Sequence, residues 1–181
     1  MKTVDMALRT EPGAGTECAP GNKTEAEQSV LKAEIQKLKQ ERGAIILAHY
    51  YQDKEIQEIA DIVGDSFQLA RAAQEAEVPV IVMAGVRFMA ETAKLLNPEK
   101  LVLLPDTEAS CPMAEMADAE GIRTYRREHP GALVVSYVNT TADVKAESDV
   151  CCTSANALQV LKSLEPDRPV LFVPDRNLGK F

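Results

Sequence analysis

The sequence predicts an α/β protein with buried parallel sheets built from a repeated unit, and two observations carry that prediction. The apolar residues fall in short continuous runs, AIILA, VPVIVMAG, KLVLLP, ALVVSYV and RPVLFVP, separated by helical stretches. Strands covered on both faces read as unbroken apolar runs, and helices between them supply the crossovers that parallel pairing needs. The second observation is a repeat. AIILAHYYQDKEIQEIADIVGDSFQLA and ALVVSYVNTTADVKAESDVCCTSANAL align without gaps at an offset of 88, which sets His49 on Tyr137, Tyr51 on Asn139, Asp61 on Asp149 and Ser66 on Ser154.

In chain order, residues 1–23 are rich in Gly, Pro, Thr and Glu without periodicity and read as a disordered extension. TEAEQSVLKAEIQKLKQERG follows as an amphipathic helix, with Thr24 to cap it, Val30, Leu31, Ile35 and Leu38 as its apolar stripe, and Gly43 to end it. Each copy of the repeat then reads as strand, polar tip, short helix, a turn containing Asp-Ser or Thr-Ser, and another helix. The next strands, VIVMAG and VLFVPD, align with the offset widened to 90. The first copy continues through a helix to LVLLPD and then to Cys111, placed where a further helix is expected to start. The second copy reaches Phe181 without its last helix, its last strand or a counterpart of Cys111. A C-terminally truncated chain is therefore expected, with an exposed apolar sheet edge in residues 118–181. The expected domains are 24–117 and an incomplete 118–181, with a linker near 117–130.

Composition narrows the function. With 45% hydrophobic residues in 181, a real core is available. The 20 basic residues against 28 acidic ones give a net charge of -8, which argues against nucleic acid and anionic membrane surfaces as partners, so an anionic ligand has to be held by local donors. No apolar run is long enough to span a membrane and the N-terminus lacks a signal-peptide pattern, so a cytoplasmic protein is expected. Cys18, Cys111, Cys151 and Cys152 fit reduced thiols, and without a CxxC pair a self-contained zinc site is not expected.

Ligands of parallel α/β units collect at the C-terminal ends of strands, which directs attention to His49, Tyr51, Tyr137, Asn139 and Cys111. Any one of these alone is more simply a satisfied residue at a strand end. Five on one edge point to a site. The GDS (64–66) and CTS (152–154) turns precede helices, where a hydroxyl and free N–H groups bind a carboxylate or phosphate; Ser66 and Ser154 serve equally well as helix N-caps, and both readings stand. Cys151 and Cys152 are adjacent, a spacing that rarely chelates a metal or closes a disulfide, and they read as packing residues. His129, in the solvated RREHPG turn, and Cys18 receive no role.

The ordered set AHYYQ, GDSFQLA, AGVRFMAETAKLLNPEKLVLLPD with a following Cys, YVNTTADVKAESDVCCTSANA and VPDRNLG resembles bacterial quinolinate synthase, from about Ala44 to Gly179. The resemblance implies three similar three-layer α/β/α domains around a pseudo-threefold axis, the third of them absent from this sequence. It implies a transferase of pyridine nucleotide (NAD) biosynthesis that condenses iminoaspartate with dihydroxyacetone phosphate, releasing phosphate and two waters. A [4Fe–4S] cluster held by one cysteine from each domain is implied, with Cys111 as the first-domain ligand and the other two expected beyond Phe181. His49 and Ser66 are then expected to bind iminoaspartate, and Tyr137 and Asn139 to contact substrate and intermediates. Thr153 and Ser154 are expected at a carboxylate or phosphate, and Tyr51, with Tyr137, in proton transfers. L-aspartate oxidase, as supplier of iminoaspartate, is the implied functional partner. One departure is visible: Ser110 and Pro112 flank Cys111, where many members have Gly before and Ser after. Two other readings compete, a cluster-free α/β module that binds small phosphorylated or dicarboxylic ligands through the GDS and CTS turns, and a non-catalytic interaction protein.

Overall fold

The computed structural model describes residues 24–177; the expected extension over 1–23, with Cys18, lies outside the described residues. Helix α1 (Glu25–Arg42) begins in a capping box. The Thr24 hydroxyl accepts from Glu27 N, and the Glu27 carboxylate accepts from Thr24 N at 2.8 Å. Gly43 ends the helix at φ 57°, a left-handed conformation that side-chain-bearing residues adopt only at a cost. The apolar stripe of α1 is less buried than its pattern predicts: Val30, Leu31 and Leu38 are all exposed.

After α1 come β1 (Ala44–His49), α2 (Lys54–Ile59), β2 (Ile62–Gly64), α3 (Ser66–Glu75), β3 (Val80–Ala84), α4 (Arg87–Leu96) and β4 (Leu101–Leu103). The strands form one parallel sheet in the order β2-β1-β3-β4. The chain steps outward from β1 to β2, then returns across β1 to β3 and β4. With right-handed crossovers, that reversal puts α2 on one face and α3 and α4 on the other. It also opens a crevice at the carboxyl ends of β1 and β3, where the crossovers diverge.

The second unit repeats the plan: α5 (Ala119–Glu128), β5 (Leu133–Tyr137), α6 (Ala142–Ala146), β6 (Val150–Cys152), α7 (Ala157–Ser163) and β7 (Val170–Val173), with parallel strands in the order β6-β5-β7. Its register reproduces the offset of 88. Leu47↔Ile62 and His49↔Gly64 in the first sheet become Val135↔Val150 and Tyr137↔Cys152 in the second. The third strands depart by one residue from the expected 90: Ile45↔Ile81 corresponds to Leu133↔Val170, an offset of 89. The strands themselves, VIVMA and VLFV, are apolar throughout, so sliding one past the other leaves no mark in the pattern.

Leu47, Leu69, Ile81, Met83, Phe88 and Met89 form the first core, and Ile122, Val134, Val144 and Val173 the second. Full burial of each such side chain contributes about 1.5–3 kcal/mol. The units meet at a joint: Val138 packs on the first core, Ala142 N donates to the Glu91 carboxylate at 2.8 Å, and the Lys145 ammonium stands 5.6 Å from the centre of the Phe88 ring.

Several expectations need correction. The turns after α2 and α6 contain the short edge strands β2 and β6, three residues each and too brief for a periodic signal. Cys111 begins a single turn, closed by Ala114 N donating to Cys111 O at 2.8 Å, and no regular helix follows it until α5. The expected linker at 117–130 is largely α5, capped by the Asp118 side chain accepting from Gly121 N. The N-cap positions fall to neighbours of the expected serines. Asp65 caps α3 in a full capping box and Asn156 occupies the N-cap position of α7, so neither Ser66 nor Ser154 serves as a cap. The cysteine pair splits, because adjacent residues of a strand face opposite ways: Cys152 is buried and Cys151 is exposed.

Candidate functional site

At the carboxyl ends of β1 and β3 lies an open cleft of about 190 Å³, walled by His49, Tyr51, Gln52, Ser66, Gly85, Val86, Phe88, Met89, Ser110, Cys111, Pro112 and Asn139. Five residues singled out in the sequence meet here: His49, Tyr51, Ser66, Cys111 and Asn139. Each arrives for a local reason. His49 is the last residue of β1, and Tyr51 follows in the tip, whose backbone is held by Gln57 Nε2 donating to Tyr50 O at 3.1 Å and to Gln52 O at 2.8 Å. Ser66 opens α3, leaving its hydroxyl available because Asp65 does the capping. Cys111 sits in the loop after β4, which Arg87 N ties to α4 by donating to Ala109 O at 2.9 Å. Asn139 enters from the second unit, its Nδ2 3.8 Å from Cys111 Sγ.

Tyr51 N donates to His49 Nδ1 at 3.2 Å, which places the proton of the neutral ring on Nε2. Burial lowers the His49 pKa below the ordinary histidine value, with the nearby Asp65 charge opposing in part. The imidazole is thus a neutral hydrogen-bond donor at the cleft wall. Its ring stacks on Tyr50, centroids 4.5 Å apart, and lies 4.6 Å from the Tyr51 ring. The Tyr50 hydroxyl donates to that of Tyr51 at 3.2 Å, a bond that raises the Tyr50 pKa and leaves the Tyr51 hydroxyl exposed at the mouth.

Tyr137, Thr153 and Ser154 are not brought into this cleft. Tyr137 ends β5 as His49 ends β1, and its carbonyl accepts from Thr140 Oγ1 at 2.8 Å. Thr153 is engaged with Asn156, whose side-chain oxygen accepts from Thr153 N at 2.7 Å, and Ser154 is exposed in the turn before α7. Gln52, Gly85, Val86, Phe88 and Met89 were missed in the sequence. Gly85 was findable, since it directly follows a strand run. A Cβ there would stand 3.0 Å from Met89 Sδ and 3.8 Å from His49 Cβ, so glycine keeps the cleft floor open.

The family model described as Quinolinate synthetase A protein matches residues 33–181. The chain belongs to the quinolinate synthase family. It is 61% identical over 151 residues to the quinolinate synthase of Desulforudis audaxviator, a match covering 83% of this chain and 50% of that protein. The quinolinate synthases of Methanoregula boonei (60%, covering 84% of this chain and 50% of the relative) and Prosthecochloris aestuarii (54%, covering 85% and 48%) are also similar. The chain therefore spans about half the length of the curated relatives it matches. Among the described residues, no group of three or more His, Cys, Asp or Glu is placed to hold a metal ion, and no helix is long and apolar enough to cross a membrane. A thiolate-held iron–sulfur cluster needs several ligands. Cys111, a free thiol at the cleft wall, fits as one of those ligands and not as a complete cage.

Proposed function

We propose that this chain contributes two α/β units to a quinolinate synthase that condenses iminoaspartate with dihydroxyacetone phosphate to quinolinate in NAD biosynthesis. The observation that carries the reading is the convergence of His49, Tyr51, Ser66, Cys111 and Asn139 on one cleft at the reversal point of the sheet. Cys111 is assigned as one thiolate ligand of a [4Fe–4S] cluster. When bound, such a cluster with one open iron supplies a Lewis acid toward a substrate oxygen or nitrogen.

The remaining chemistry belongs to side chains. His49, neutral with its proton on Nε2, donates to a carboxylate of iminoaspartate, and the Ser66 hydroxyl adds a second donor. Tyr51 carries an exposed phenol at the cleft mouth, suited to moving a proton during isomerisation and dehydration. Asn139 contacts substrate from the second unit. Tyr137, Thr153 and Ser154 are assigned to later intermediates or to an anionic group on the second unit. We place the reaction in the cytoplasm, where free thiols stay reduced, with L-aspartate oxidase as the source of iminoaspartate. The cluster-free binding module is the weaker reading, since Ser66 lines the cleft and Ser154 does not.

The test is Cys111→Ala in the protein expressed anaerobically from its complete reading frame. Cluster absorbance and quinolinate formation are both expected to fall to a small residue of the parent. A variant that keeps stoichiometric iron and sulfide would overturn the assignment.

A further inference from the structure

The tip after β5 carries Asn139 between two clamped carbonyls. Lys145, on α6, donates from its ammonium to Val138 O at 2.9 Å and also to Thr140 O, the carbonyls on either side of Asn139. The first unit has the same device 88 residues earlier: Gln57, on α2, donates to Tyr50 O and Gln52 O, on either side of Tyr51. Two different side chains, an amide and an ammonium, thus perform one task at equivalent positions. What the clamp fixes in each unit is the residue between the carbonyls, and in each unit that residue lines the cleft.

Lys145 differs from Gln57 in reaching across the joint. Its ammonium also stands over the ring of Phe88, which lines the cleft, and Glu91 of the same helix accepts from Ala142 N at the start of α6. Lys145 itself does not line the cleft, so direct contact with substrate is not its role.

We propose that Lys145 is a positioning residue that locks the Val138–Thr140 backbone across the joint and so holds the Asn139 amide against Cys111. This rests on the reading of the cleft as the quinolinate synthase site. Displacement of a positioned group by about 1 Å can cost on the order of a hundredfold in rate. Removing the clamp is therefore expected to act through Asn139.

The experiment is a double-mutant cycle in the complete protein, with Lys145→Met, Asn139→Ala and the pair, read as kcat/KM for quinolinate formation. Lys145→Met is expected to lower it about tenfold or more, and the pair to be no worse than Asn139→Ala alone within about threefold. Lys145→Gln, which restores the donor used by Gln57, is expected to recover activity to within about threefold of the parent and serves in the cycle as a folded control. A second readout needs no turnover: in cluster-free protein, the alkylation rate of Cys111 by iodoacetamide is expected to change by the same factor in Lys145→Met as in Asn139→Ala. Additive losses in the pair, or Cys111 alkylation in Lys145→Met indistinguishable from the parent, overturn the inference. If Lys145→Met does not fold, a Lys145→Gln variant as impaired as Asn139→Ala overturns it equally. Failure of the underlying reading looks different, since Asn139→Ala would then leave quinolinate formation unchanged.

Discussion

Asp61 and Asp149, 88 residues apart, make the same paired bond to the central strand of their sheets. Asp61 Oδ2 accepts from Ile46 N at 2.8 Å while Asp61 N donates to Ile46 O at 2.8 Å. Asp149 Oδ2 accepts from Val134 N at 2.7 Å while Asp149 N donates to Val134 O at 2.9 Å. Each carboxylate also meets a cation from the helix preceding its strand, Lys39 at 2.6 Å in the first unit and Arg126 at 2.7 Å in the second. The pair ties helix, central strand and edge strand together, and explains why an aspartate stands at this register in both units.

Removing either carboxylate leaves a strand N–H without its acceptor. Asp61→Ala and Asp149→Ala are each expected to lower unfolding free energy by about 1–3 kcal/mol, and the Asn variants, which keep an acceptor, by less. Urea titration checks the order. Burial pushes the Asp149 carboxyl up, but the Val134 N–H, Arg126 and the more distant charge of Arg168 lower it, and the net shift is downward. Its contribution is therefore complete above the ordinary carboxylate range and is lost as pH falls through and below it.

The proton on His49 gives a second prediction. An amide that replaces Nε2 keeps a donor in the cleft, whereas one nearer Nδ1 keeps only the contact with Tyr51 N. On the proposed function, in substrate titrations of the complete protein His49→Gln is expected to hold KM for iminoaspartate within about tenfold, and His49→Asn to raise it by roughly 10–100-fold. The opposite ranking would put the working proton on Nδ1.

A third prediction concerns pH and the joint. Burial pushes Lys145 down from the ordinary lysine value of 10.5 to about 8, with the neighbouring Cys151 and Glu91 opposing. Between those two values the unfolded chain holds more protons at this residue than the folded one, so stability is gained as pH rises across the window and the cost of burying the charge is fully present below it. The gain is on the order of 1–3 kcal/mol. Urea midpoints of parent and Lys145→Met, compared from about pH 8 to about pH 10, should show a rise in the parent that the variant lacks; parallel curves would refute the assignment.

Much of the site was legible because the repeat is written in residue types. His49, Tyr51 and Asn139 stand at strand tips, where apolar runs give way to polar residues, and Gly43 and Thr24 mark the ends of α1. Asp61 and Asp149 were aligned with each other, yet their role stayed hidden: a carboxylate before a turn looks the same whether it faces water or a strand N–H. Gln57 and Lys145 also fall at the same offset, but an amide and an ammonium share no letter, and their common task appears only once both tips are folded. Ser66 was ambiguous for a simpler reason. Asp65 beside it is an equally good cap, and only the backbone decides which oxygen turns toward the helix start.

The sequence by itself determined the α/β class, the strands long enough to carry an apolar run, the offset of 88 and the residues at the strand tips, because these depend on local periodicity and chain order. Only the tertiary structure decided the offset of 89 in the third strands, the splitting of Cys151 from Cys152, and the 3.8 Å approach of Asn139 to Cys111. That approach depends on how Phe88, Glu91 and Lys145 pack two units against each other. Packing between units follows side-chain shape and partner distance across the joint, and neither leaves a periodic trace along the chain.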